Sequence, residues 1–142
     1  MNQVDIYCDG ACSGNPGPAG IGIVIIVDDK ISLRYGEFIG RATNNIAELT
    51  AILRALTLIN RYYKCYFTSS ICSITIHSDS MYAINCANDT FTITKNKDII
   101  KEIREYIANC KDDLTFEYVK GHNGDKYNEL ADVLAREAIL RR

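Results

Sequence analysis

Val4-Asp5-Ile6-Tyr7-Cys8-Asp9-Gly10-Ala11-Cys12-Ser13-Gly14-Asn15-Pro16-Gly17-Pro18-Ala19-Gly20 is the stretch from which the rest of the chain can be placed. Val4, Ile6 and Cys8 alternate with Asp5, Tyr7 and Asp9, the period of two that marks a strand. Four glycines and two prolines within the eleven residues that follow Asp9 predict a long turn. Asp9 is thereby expected at the end of a strand, facing away from Val4, Ile6 and Cys8. Glycines after it would let backbone N–H groups approach a ligand. A polar strand end before a hairpin loop would read the same way, so Asp9 needs partners from elsewhere in the chain.

Outward from this stretch, Ile21 to Val27 is almost continuously apolar and β-branched, as in a buried strand. After the turn Asp28-Asp29-Lys30, Ile31 to Ile39 reads as a third strand, giving an antiparallel meander. A helix of about sixteen residues follows, capped by Asn44 or Asn45, with Ile46, Leu49, Leu53 and Leu56 on one stripe. Arg54, Arg61 and Lys64 fall towards its far end, where the helix dipole favours cations. Ser70 to His77 predicts a fourth strand, Met81 to Ala87 a short helix, and Lys95 to Cys110 a long one whose buried face is Ile99, Ile100, Ile103, Tyr106 and Ile107. Leu114 to Val119 predicts a fifth strand. Asp125 is expected to cap a last helix with the stripe Tyr127, Leu130, Ala131, Leu134 and Ala138. The order β-β-β-α-β-α-α-β-α implies an α/β fold with a mixed five-stranded sheet flanked by helices.

Composition narrows the class. The 142 residues, 47% hydrophobic and 24% charged, suit one soluble domain, here residues 1–142. No apolar run is long enough to span a bilayer, and the start of the chain lacks the pattern of a secretion signal, so a cytoplasmic location is expected. The six cysteines make no C-x-x-C pair and no zinc spacing, and read as reduced thiols rather than disulfides. A net charge of −2 argues against gripping nucleic acid by bulk charge, though not against a local basic face.

Three further carboxylates stand where they could join Asp9. Asp79 ends the fourth strand, and ligands gather at the carboxyl ends of strands in open α/β sheets; it also fits an N-cap of the helix from Met81. Glu48 lies in the first turn of the long helix, where Asn45 and Glu48 have the spacing of a capping box. Asp132 lies mid-helix, a place that either a solvated face or a second purpose would explain. Carboxylates converging without basic partners usually hold divalent metal, and oxygen-only ligands point to magnesium or manganese. His122, in a loop between Gly121 and Gly124, is either a turn residue or a group that moves a proton.

With these residues in place the chain resembles ribonuclease H of type 1 over essentially its whole length. Four motifs carry the resemblance: YCDGACSGNPGPAGIG from Tyr7, RATNNIAEL from Arg41, HSDSMYAI from His77 and VKGHNGDKYNELADVLARE from Val119. It implies that Asp9, Glu48, Asp79 and Asp132 are catalytic metal ligands for two Mg2+ ions, with Mn2+ a substitute, and that His122 is the mobile histidine beside them. The implied partner is an RNA–DNA hybrid duplex, of which the RNA strand is cut to leave 3′-hydroxyl and 5′-phosphate ends. No membrane and no obligate protein partner is implied, so a monomer is expected. Cys12, Ser13, Gly14 and Asn15, with Asn44 and Asn45, resemble the surface that reads ribose 2′-hydroxyls. Arg41, Thr43 and Asn96 resemble a pocket for a DNA-strand phosphate, and Glu129 a residue that assists metal turnover.

The chain departs from many members in two ways. Only Asn88 to Thr94 stands where they carry a basic, Trp-containing helix and loop, and a separate hybrid-binding domain before the first strand is not expected. Weaker and more salt-sensitive hybrid binding is expected, with Lys95, Lys97, Lys101 and Arg104 as partial substitutes. Two other readings stand beside the nuclease: a non-catalytic hybrid-binding module and a DNA-directed nuclease or recombinase on a related fold.

Overall fold

The computed structural model describes residues 3–63, 73–88, 93–110, 113–121 and 124–142. Its sheet runs in the order β3-β2-β1-β4-β5. Strands β1 (Gln3–Cys12), β2 (Gly17–Val27) and β3 (Lys30–Ala42) form the antiparallel meander, and β4 (Ser73–Ser78) and β5 (Asp113–Tyr118) add in parallel beside β1. The mixed sheet expected from the sequence is the sheet observed.

The first two strands are longer than their side-chain pattern indicates. The ladder continues beyond Asp9 through Gly10↔Ile21, Ala11↔Gly20 and Cys12↔Ala19. Glycine and alanine have too little side chain to show a period, so backbone hydrogen bonds alone carry this part. Asp9 therefore sits inside β1 rather than at its end. Residues 70–72, expected in the fourth strand, lie outside the described residues.

Both faces of the sheet are covered around β2, which is why its run is apolar at every position. Ile21, Ile23 and Ile25 join a core with Val4, Ile6 and Cys8 of β1 and with Leu49, Ile52 and Leu56 of helix α1 (Asn44–Leu58). Val24 and Ile26 point the other way, towards Ala131 of helix α4 (Lys126–Leu140). At Gly22 the strand and α4 approach so closely that a Cβ would run into the Ala131 carbonyl. Helix α4 buries Asn128, Ala131, Ala135 and Ile139, one step round from the expected stripe, because small residues let it lie flat on β2. Asp125 caps it as expected, its Oδ1 accepting from the N–H groups of Tyr127 and Asn128.

Helix α2 (Met81–Ala87) matches the expected range, and α3 (Lys97–Ala108) is shorter than expected at each end. Only Ile100 and Ile103 of the expected α3 face are fully buried. Helix α1 runs on into a π-helical turn, Ile59–Tyr63, which carries Arg61; Lys64 lies outside the described residues. Arg54 is committed sideways, its guanidinium donating to both oxygens of Glu37 on β3 at 2.7 and 3.1 Å. None of Cys8, Cys12, Cys86 and Cys110 is in a disulfide, while Cys65 and Cys72 lie outside the described residues. Among the described residues no helix is long and apolar enough to cross a membrane.

Candidate active site

Three side chains converge where β1, β4 and the start of α1 meet. Oxygens of Asp9, Glu48 and Asp79 all lie within 4.8 Å of one another. Asp9 stands in β1 across from Gly22, and is only 4% exposed. Asp79 follows directly on β4, which lies parallel to β1 with Cys8 opposite Ser78. Register alone thus puts the two aspartates side by side.

Glu48 arrives from the helix above. At Gly10 the first turn of α1 crosses the strand so tightly that a Cβ would stand 2.5 Å from the Ala47 carbonyl carbon and 2.6 Å from the Glu48 nitrogen. The Gly10 N–H donates to Glu48 Oε1 at 2.5 Å, which fixes the carboxylate over the strand. This contact replaces the expected capping box. The helix is capped instead by Thr43, whose Oγ1 accepts from the Ile46 N–H at 3.2 Å, so neither Asn44 nor Asn45 is the cap. Asp79 is likewise released from capping, since Ser80 Oγ accepts from the Ala83 N–H at the start of α2. A hydroxyl residue takes the cap in each case, Thr43 for α1 and Ser80 for α2, leaving the acid for other use.

Among the described residues none of these three carboxylates has a cation within ion-pair distance. Burial, then the charge and hydrogen bond of Asp79, then the charge of Asp132, push Asp9 from the ordinary 3.8 up to about 8. Burial and the charges of Asp9 and Asp79 likewise hold Glu48 well above its ordinary range, against the lowering effect of the Gly10 N–H. Such a group is stable only when protonated or neutralised by a cation. Carboxylate oxygens with no Cys or His among them suit a hard divalent ion such as Mg2+ or Mn2+. The donor set fits the metal that the sequence implies.

Asp132 stands apart from this group of three. It is one turn along α4 from Arg136, whose Nε donates to its Oδ2 at 3.1 Å, yet its charge is felt at Asp9. His122 lies outside the described residues. The chain just before it passes over the site, for a Cβ at Gly121 would stand 3.0 Å from Asp79 Oδ2.

The residues expected to bind substrate border the site through the β1–β2 turn and the entry to α1. Asn15 Oδ1 accepts from the Asn44 N–H at 3.0 Å, and the Cys12 thiol donates to the Ala42 carbonyl at 3.4 Å, so both ends of the turn Cys12–Asn15 are tied to the entry of α1, where Asn44 and Asn45 lie. Arg41 and Thr43 lie at the end of β3 and its exit. Asn96 is held in the left-handed region at φ 58° just before α3, and its Nδ2 donates to the Tyr82 hydroxyl at 3.0 Å. Glu129 lies in the first turn of α4.

Two neighbours of the cluster escaped the sequence reading. Tyr7 and His77 each stand two residues before a clustered aspartate and stack on one another. The i−2 spacing on both strands was the available signal.

Comparison with known proteins gives a consistent picture. The RNase H family profile matches residues 1–140. A ribonuclease H of Albidiferax ferrireducens is 33% identical over 98% of this chain and 95% of its own length. The crystal structure of RNase H1 from the halophilic archaeon Halobacterium salinarum NRC-1 superposes with a TM-score of 0.81 at 32% identity, covering 99% of each chain. LC11-RNase H1, solved in complex with an RNA/DNA hybrid, superposes with a TM-score of 0.83 at 27% identity, covering 97% of each.

Proposed function

The chain belongs to the RNase H family, and on that premise we propose that residues 1–142 form one catalytic domain that hydrolyses the RNA strand of RNA–DNA hybrids, leaving 3′-hydroxyl and 5′-phosphate ends. The observation that carries this reading is the convergence of the carboxylates Asp9, Glu48 and Asp79, with oxygens within 4.8 Å of one another and, among the described residues, no cation within ion-pair distance. A pure binding module gains nothing from negative charge held against phosphates, which disfavours the non-catalytic reading. The hybrid held by LC11-RNase H1 supports the same class of substrate here.

Asp9, Glu48 and Asp79, completed by Asp132, would hold two Mg2+ ions, with Mn2+ a substitute. When bound, such a pair supplies an activated water and steadies the leaving oxygen in an in-line displacement at phosphorus. The protein's own contribution is placement. Register between β1 and β4 fixes the aspartates, and the Gly10 N–H fixes Glu48. Asp132 accepts from Arg136 and its charge reaches Asp9, so it would complete the set by exchanging Arg136 for the metal. His122 moves a proton or assists product release beside the reacting phosphate.

Cys12 to Asn15, with Asn44 and Asn45, would read ribose 2′-hydroxyls, the atoms that separate RNA from DNA. Arg41, Thr43 and Asn96 would hold a DNA-strand phosphate, which sets position without reading bases. Working as a monomer, the chain needs no second copy to build this surface.

Incubation with labelled hybrid, double-stranded DNA and double-stranded RNA in Mg2+ tests the proposal. Cleavage confined to the RNA strand of the hybrid is expected. Cutting of double-stranded DNA would favour the DNA-directed reading, and binding without cutting the non-catalytic one.

A further inference from the structure

Beneath the carboxylates lies a layer of rings. Tyr7 of β1 and His77 of β4 are register partners on adjacent parallel strands. Their rings stack with centroids 4.1 Å apart and planes 3° from parallel. His77 is only 8% exposed, and its Nε2 is hydrogen-bonded to Asp5 Oδ1 at 2.9 Å. On the other side Tyr7 meets the ring of Tyr127 from α4, 5.4 Å away and tilted by 45°. The pair is thus held from below by Asp5 and from the flank by Tyr127.

Side chains alternate along a strand, so Tyr7 shares a face with Asp9 two residues on, and His77 precedes Asp79 by the same two residues. Like charges brought this close repel, and the β1–β4 ladder stops at Cys8↔Ser78, one residue short of both aspartates. Two rigid rings in contact fix the spacing of β1 and β4 one step below the carboxylates.

We propose that the Tyr7–His77 stack, pinned by Asp5 and Tyr127, is a positioning platform that sets the separation of Asp9 and Asp79 and so their affinity for divalent ions. The inference rests on the proposed metal-dependent activity. Tyr7 and His77 are positioning residues, since neither needs to touch the reacting phosphate. A stack that served only the fold would alter the melting temperature of the metal-free protein and leave metal affinity as it was.

The test compares the whole chain with Tyr7→Leu, Tyr7→Phe and Asp5→Ala. Mg2+ is titrated by calorimetry and by the metal-induced rise in melting temperature, with Mn2+ in parallel; kcat and KM on hybrid are measured at saturating metal. Loss of the ring in Tyr7→Leu is expected to weaken Mg2+ binding about tenfold, in the range of outer-sphere substitutions at metal sites, while KM for hybrid stays put. Asp5→Ala keeps both rings but frees His77, and should weaken Mg2+ by a smaller factor, about threefold. Tyr7→Phe keeps the ring and should restore wild-type metal affinity.

Wild-type Mg2+ affinity in both Tyr7→Leu and Asp5→Ala overturns the inference. Should Tyr7→Leu fail to fold, Asp5→Ala, at a half-buried site near the strand's start, decides it alone. A wild-type chain that binds Mg2+ but spares the hybrid sinks the nuclease reading and leaves the platform to be judged on metal affinity. A wild-type chain that binds neither ion overturns both.

Discussion

Two glutamates, one on β3 facing helix α1 and one in the helix itself, have opposite fates. Glu37, on β3, accepts from Arg54 of α1 at 2.7 and 3.1 Å and from the Tyr35 hydroxyl at 2.8 Å. Burial alone would raise its pKa, but the hydrogen bonds from Arg54 and Tyr35 outweigh it and hold the carboxyl below its ordinary range. Glu48, about two turns before Arg54 on α1, meets Asp9 and Asp79 instead of a cation, and burial together with their charges drives it well above its ordinary range. One acid is content as an anion and the other is not. A folded chain that tolerates the second arrangement holds a site that calls for cations.

The sharpest way to break this contrast is Asp79→Asn. If the cluster is the metal site, one lost ligand should lower hybrid cleavage by more than about 1,000-fold, the equivalent of roughly 4 kcal/mol in the barrier. Hybrid binding measured in Ca2+ or EDTA should change little, because the substitution leaves the Cys12–Asn15 turn and the α1 entry intact. Ordinary turnover in this variant would mean that the clustered acids are not the catalytic ones.

Stability offers the next largest effect, and its sign differs for the two acids. Asp9 has its folded pKa raised from 3.8 to about 8, so between those values the native state holds a proton that the unfolded chain has released. Metal-free stability attributable to Asp9 is therefore full below about pH 4 and is lost as pH rises towards 8. Asp9→Asn should stabilise the metal-free protein at pH 8 by about 1–3 kcal/mol, read as a melting temperature higher by several degrees, and should flatten its pH dependence. Mg2+ should stabilise the wild type and not this variant. A pH dependence of melting temperature between 4 and 8 in EDTA that Asp9→Asn leaves unchanged would refute the repulsion.

Glu37 runs the other way. Its folded pKa is lowered, so its contribution is present above its unfolded pKa and fades as pH falls through the folded one. The pair with Arg54 is about one-third exposed on each side, which keeps its worth small. Glu37→Ala should cost about 1 kcal/mol in urea denaturation at pH 7, with cleavage per folded molecule unchanged. A change in kcat would show that the clamp also shapes the site.

Much of this was legible in the residues. Asp9 and Asp79 could be placed because apolar alternation fixed β1 and β4 as strands, and the mixed topology then set them side by side. The length of β1 could not, because Gly10, Ala11 and Cys12 are held by backbone pairing with Ile21, Gly20 and Ala19. Glu48 was caught between two partners at the same reach, the Asn45 amide and whatever crossed the helix start. Sequence spacing sees the first, and only the crossing at Gly10 reveals the second. Asp132 was legible as an acid without a cap role, but its pair with Arg136 is an i,i+4 contact that any solvated helix face would also show.

The smallest effect extends the comparison from acids to cations. Of the four cations in and just before α3 that stand in for the missing basic helix, Arg104 is already committed, its Nε donating to the Cys86 carbonyl of α2 at 3.0 Å. Lys95, Lys97 and Lys101 are exposed and have no ion pair among the described residues. If the rule drawn from the glutamates holds, these lysines meet phosphates and Arg104 holds α3 against α2. Neutralising the three to Gln should flatten the slope of log Kd against log salt for hybrid by up to about 3, close to one per released counterion, and leave the melting temperature nearly unmoved. Arg104→Ala should do the reverse, lowering the melting temperature with the slope intact. A shallow slope in the wild type that the triple substitution does not alter would show that α3 takes no part in binding, and that the turn at Cys12–Asn15 and the entry to α1 grip the hybrid on their own.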